Sequence, residues 1–115
     1  MSSANIYTHD LDALYQGDSF TLDLCIVNSD DTPADITLNK ITLTIKESDV
    51  ATDSLYTYTE DQHKQPSEGL TEFKIGPSVT SGFPARELIL SVVREDLQGE
   101  VTTLVYAPLK VIKAL

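Results

Sequence analysis

Lys40-Ile41-Thr42-Leu43-Thr44-Ile45-Lys46 is the stretch that decides the fold. Ile41, Leu43 and Ile45 alternate with threonine and lysine, so an extended chain here has one apolar side and one polar side. Period two with β-branched residues reads as a half-buried strand. The same alternation recurs on either side of it. Phe20, Leu22, Leu24 and Ile26 alternate with Thr21, Asp23, Cys25 and Val27. Tyr56 and Tyr58 alternate with threonines, and Thr71, Phe73 and Ile75 alternate with Glu72 and Lys74. Leu88, Leu90 and Val92 alternate with Ile89, Ser91 and Val93, apolar on both sides, as in a central strand. A last strand runs from Val101 to about Ile112, with Pro108 marking a bulge, an edge or a change of sheet.

Turn chemistry separates these runs. Asn28-Ser29-Asp30-Asp31-Thr32-Pro33 is dense in turn formers, and Glu95–Glu100 reads as a hairpin with Gly99 at positive φ. Residues 60–69 read as a mobile polar loop. Helical signals are confined to single turns near Leu11–Tyr15 and Pro77–Ser81, too short to hold themselves up. Six or seven short strands without crossover helices imply an all-β, antiparallel β-sandwich. A chain of 115 residues suits one domain, 1–115, with a core at about 15–112 and an N-terminal arm at 1–14.

Eighteen acids against eight bases give a net charge of −10. That balance argues against nucleic acid and anionic membrane surfaces, which are bound through Lys and Arg. It leaves open solubility, cation binding or docking to a basic partner. The N-terminus has neither a basic region nor an apolar stretch, so no signal peptide is expected, and no apolar run is long enough to span a membrane. The single cysteine, Cys25, is expected as a small buried hydrophobe in a reducing compartment.

Catalytic signatures are missing. His9 and His63 sit in polar surroundings and read as solvated surface histidines; there is no nucleophile elbow and no His-Glu-x-x-His. No catalytic, cofactor-binding or metal-ligating residue is assigned, and the chain is expected not to be an enzyme. Asn28, Asp30, Asp31 and Asp35 crowd one turn. They are expected to bond their own backbone, without the spacing of a Ca²⁺ loop. Phe83, between Gly82 and Pro84, either closes one end of the sandwich or anchors in a partner's pocket. The tail Leu109–Leu115 either completes the last strand or extends onto a neighbour. The candidate partner contacts are therefore Val79, Phe83, Leu109, Ile112 and Leu115.

Gln16-Gly17-Asp18-Ser19-Phe20-Thr21-Leu22, then Asp31-Thr32-Pro33-Ala34-Asp35-Ile36-Thr37, then Ile41–Lys46, and finally Gly99-Glu100-Val101-Thr102-Thr103-Leu104 follow one another in a recognisable order. Over roughly residues 15–112 the chain resembles the immunoglobulin-like β-sandwich modules of tailed-phage virion proteins, such as the N-terminal domain of baseplate upper proteins and related tail, neck and head accessory proteins. In those modules the position after the Ile-Thr pair often carries a glycine. Here Leu38-Asn39-Lys40 stands there, and Asn39 is expected to take the left-handed backbone. The resemblance implies an immunoglobulin-like fold of about seven strands. It also implies a non-enzymatic virion structural protein, an accessory, decoration or tail-baseplate component made in the host cytoplasm. Its partners would be other virion proteins, with homo-oligomers within the particle a further option, and no cofactor. The alternative is a carbohydrate-binding or adhesin-like module for host-surface attachment.

Overall fold

A computed structural model describes residues 3–6, 14–28, 30–48 and 50–113. Among the described residues the strands are β1 (Ser3–Ile6), β2 (Leu14–Tyr15), β3 (Phe20–Val27), β4 (Lys40–Lys46), β5 (Tyr56–Glu60), β6 (Leu70–Ile75), β7 (Glu87–Glu95) and β8 (Val101–Ile112). A 3₁₀ turn at Pro66–Glu68 and one helical turn, α1 (Pro77–Thr80), complete the described elements. The all-β class holds, and each alternating run of the sequence is a strand.

Two sheets form. The smaller has the order β1-β3-β6 and the larger β2-β8-β7-β4-β5. The larger is mixed rather than purely antiparallel, because β2 pairs with β8 in parallel, Leu14 opposite Val111. Leu14 had read as part of a helical turn; two residues captured by the end of β8 cannot nucleate one. Part of the expected N-terminal arm is also a strand, Ser3–Ile6 against the end of β3.

The apolar sides of both sheets feed one core cluster. Leu22, Leu24, Ile26, Ile41, Leu43, Ile45, Leu88, Leu90 and Val92 are almost wholly buried, as their alternation requires. Leu104 is the extra residue of a bulge: Val92 opposes Val105 while Val93 opposes Thr103. Pro108 lies opposite Ile89, on a stretch of β8 whose other side pairs only at 111–112, so its missing N–H costs no ladder bond.

The solvent side of the larger sheet is set by the same register. One row across the strands reads Thr57, Thr44, Ser91, Tyr106, and the next reads Thr59, Thr42, Val93, Thr103. A third row holds Lys46, Ile89 and Pro108. The solvent side of the smaller sheet is different in kind. Asp23 and Glu72 stand directly opposite each other there. Lys74 lies 3.3 Å and Lys64 3.9 Å from the Glu72 carboxylate. Cys25 is on this side too, half-buried opposite Leu70. The expectation of a buried thiol is corrected: the inward positions of β3 are Leu22, Leu24 and Ile26, which puts Cys25 outward.

Candidate functional site

Three connections meet at one end of the two sheets: residues 35–39 leading into β4, residues 61–69 leading into β6, and the β7–β8 hairpin. A polar network ties them together. The Asp35 carboxylate accepts bonds from the Thr37 amide (3.0 Å) and hydroxyl (2.6 Å), which closes the turn. These bonds, aided by nearby Arg94, hold its carboxyl below the usual carboxylate range. Leu38, which follows Thr37, has φ 61, the left-handed region, and is 56% exposed. The residue with the unusual backbone is thus Leu38 and not Asn39, which is buried and has other work. Asn39 Nδ2 donates to the Thr37 carbonyl (3.1 Å) and its Oδ1 accepts from Arg94 Nε (2.7 Å). Its carbonyl accepts from His63 Nε2 (2.7 Å).

His63 is therefore no solvated histidine. A carbonyl can only accept, so Nε2 carries the hydrogen, and Nδ1 pairs with the buried Thr71 hydroxyl at 2.9 Å. The loop 60–69, expected to be mobile, is fastened by this bond pair and by the Ile36 amide to the Pro66 carbonyl (2.9 Å). Gly69 ends the 3₁₀ turn at φ 72.

On the hairpin side, the Asp96 carboxylate accepts from the Gln98 and Glu100 amides, both at 2.9 Å, and Gly99 has φ 84 as expected. This turn holds out Leu97, 69% exposed. Between Leu38 and Leu97 lies an open cleft of about 300 Å³, with Asn39, Arg94, Asp35 and Asp96 among its lining. It offers two apolar lips, one guanidinium fixed through Nε, and two carboxylates. Both nitrogens of the nearby His63 are engaged within the fold, by Asn39 and Thr71.

The contacts expected from sequence lie elsewhere. Phe83 is 3% exposed and Leu109 fully buried, so both side chains belong to the core of this chain. Phe83 is drawn in because Gln16 Nε2 binds its carbonyl (2.7 Å), while Thr80 fastens α1 to the Asp18 carbonyl (2.7 Å). Leu109 faces inward opposite Leu88. Val79 is half-buried against the core, and Ile112 is half-buried opposite Tyr15. Leu115 and His9 lie outside the described residues. The Asn28–Asp35 turn makes the bonds expected of it: Asp30 Oδ1 accepts from the Thr32 amide (3.2 Å) and hydroxyl (2.5 Å), and Asn28 Nδ2 reaches the Pro33 carbonyl (3.3 Å). Among the described residues, no three of His, Cys, Asp and Glu converge as metal ligands would. No described helix is long and apolar enough to cross a membrane.

On the smaller sheet, burial is the main cause raising the Asp23 carboxyl above its ordinary range, followed by its bond to Glu72 and repulsion from it. Glu72 is held low by receiving that bond, with Lys74 and Lys64 assisting.

No family model matches the chain. No curated protein matches it either. Among solved structures, a superoxide reductase (neelaredoxin) from Ignicoccus hospitalis is similar, with a TM-score of 0.56 at 11% identity, over 95% of this chain and 79% of that one. At that identity the likeness is one of fold. It corrects the expectation that the chain is not an enzyme: a catalyst is built on this fold, so an all-β architecture does not separate this chain from enzymes.

Proposed function

We propose that this chain is an immunoglobulin-like module of a tailed-phage virion that attaches to other virion proteins through the cleft between Leu38 and Leu97. The observation that carries the reading is Leu38. It sits directly after Ile36-Thr37, where the modules that the sequence resembles often carry a glycine, and its backbone is left-handed as a glycine's would be. A leucine in that conformation costs roughly 1–2 kcal/mol. An exposed side chain held at such a cost points to use, since strain of this kind gathers at functional positions. Leu97 and Leu38 both line the cleft with Arg94, so an exposed apolar pair adjoins a fixed cation, and arginine is enriched at contact centres.

The test uses particles lacking the protein. Purified wild type should co-sediment with them, and Leu38→Asn and Leu97→Ser should each bind roughly tenfold more weakly while melting no lower than the wild type. Wild-type-like binding by both variants removes the cleft from the interface. A wild type that binds no virion component ends the reading altogether.

A further inference from the structure

We propose that the solvent side of the β5-β4-β7-β8 sheet is a self-association face, occupied by a second copy of this chain. The chain carries a net charge of −10, yet the three rows described above contain no carboxylate at all. They are threonine, serine, valine, isoleucine, proline and tyrosine, with Lys46 at the edge. Tyr106 and Val101 are each 61% exposed at the β8 side. Carboxylates enter only at the ends of the face: Glu95 stands beside Lys40, and Glu87 beside Lys110. A shallow depression of about 530 Å³ lies on the same face, lined by Thr42, Thr59, Val93 and Val101 and closed at its end by the Lys40–Glu95 pair position.

Charge selects the occupant. A basic partner gains most from surfaces such as the Asp35–Asp96 end. A face cleared of acids suits a partner that is itself acidic, because like charges pressed together cost several kcal/mol in an interface. A second copy is such a partner, and the face is complementary to itself. A two-fold axis along the strands, between β4 and β7, lays β4 on the other copy's β7 and β5 on its β8. Lys40 of each copy then meets Glu95 of the other, twice over, and Thr44 and Thr42 meet Ser91 and Val93. No carboxylate faces a carboxylate across these rows. Aligned packing of two such sheets is an ordinary arrangement.

The area sets the strength. Four strands about 4.8 Å apart and seven residues long cover roughly 400–450 Å² per copy. Both copies together bury less than the 1,200–2,000 Å² or so of a standard stable interface. The dimer is therefore weak in dilute solution and forms where copies are concentrated, as on a repetitive particle. The inference rests on this face alone and is measured without virions.

Sedimentation equilibrium of the purified chain, from low micromolar to near-millimolar protein and at low and high salt, is the test. Dimer should accumulate with concentration and should strengthen with salt, which screens the repulsion between two acidic bodies. Val93→Glu and Thr44→Glu should abolish it, while Thr21→Glu, on the other sheet, should leave it intact. Each variant is checked by its melting curve. Lys40→Glu should weaken the dimer, and adding Glu95→Lys should restore it. A monomer at every concentration and salt overturns the proposal. So does a dimer untouched by both Val93→Glu and Thr44→Glu, one that weakens as salt rises, or a face that binds another virion protein without self-association.

Discussion

Two turns joined by one hydrogen bond, Ile36 to Pro66, both hold a residue in the left-handed region, and they make opposite demands. At Leu38 (φ 61) the side chain stands in solvent. At Gly69 (φ 72) a Cβ would run into the backbone oxygen of Ile26 and come within 3.0 Å of the Ala34 carbonyl oxygen. Those carbonyls cannot retreat: Ile26 O accepts the Ala34 amide at 2.9 Å, and the Ile26 amide is bonded to Gly69 itself at 2.8 Å. The same dihedral is thus dictated by sterics in one turn and tolerated at a cost in the other. The left-handed glycine at 69 answers to crowding, whereas the left-handed leucine at 38 keeps an exposed side chain.

The contrast is most exposed to disproof at Gly69. Gly69→Ala should cost roughly 2–4 kcal/mol in urea unfolding, adding a backbone collision to the ordinary left-handed penalty. A loss below about 1 kcal/mol would show that the turn relaxes, and the two sites would then be alike. Gly99→Ala calibrates the middle. Its φ is 84, but a methyl added there would meet nothing within 4 Å, so only the conformational penalty of about 1 kcal/mol should emerge. At Leu38 the sign should reverse: Leu38→Asn should stabilise by up to about 1 kcal/mol, since asparagine tolerates this region better. A destabilised Leu38→Asn would mean that the leucine side chain is held by the fold after all.

The smallest effect concerns pH. Asp35 closes the turn that holds Leu38, and its folded-state carboxyl lies below its ordinary value because Thr37 bonds the ionised form. A depressed folded value gives stability that is present above the unfolded value near 3.8 and is lost as pH falls through the folded one. Asp35→Asn should therefore lower stability slightly at neutral pH and converge on the wild type below about pH 4, which flattens the acid limb. An unchanged acid limb would remove Asp35 from the account of this turn.

The sheets were legible because alternation at Phe20–Val27, Ile41–Ile45 and Leu88–Val93 reports burial directly, one residue at a time. The site was not. Arg94 and His63 gain their meaning from partners 55 and 24 residues away along the chain, a distance at which no local pattern speaks. Phe83 and Leu109 read as contacts because turn-flanked and tail-proximal apolar residues look exposed, while in fact both are buried, with the Phe83 backbone tied to Gln16 and Leu109 opposite Leu88 on β7. The one usable signal was the missing glycine after Ile36-Thr37. Propensity moved the left-handed backbone to Asn39; the fold instead uses Asn39 for Arg94 and His63 and leaves the conformation to Leu38. The acid-free face was equally visible in the threonines of β4 and β5, but only the β4–β7–β8 register assembles them into rows.

Cys25 gives the molecule a built-in ruler. It is the sole thiol in the chain and lies half-exposed on the solvent side of β3, with the core and the whole larger sheet between it and the β4–β7 face. Sheets stack about 10 Å apart, so in a face-to-face pair the two thiols occupy the outermost of four layers, about 30 Å or more from each other. A probe attached there would test the proposed pairing by reading the separation of two copies optically or magnetically, away from both the Leu38 cleft and the β4–β7 face.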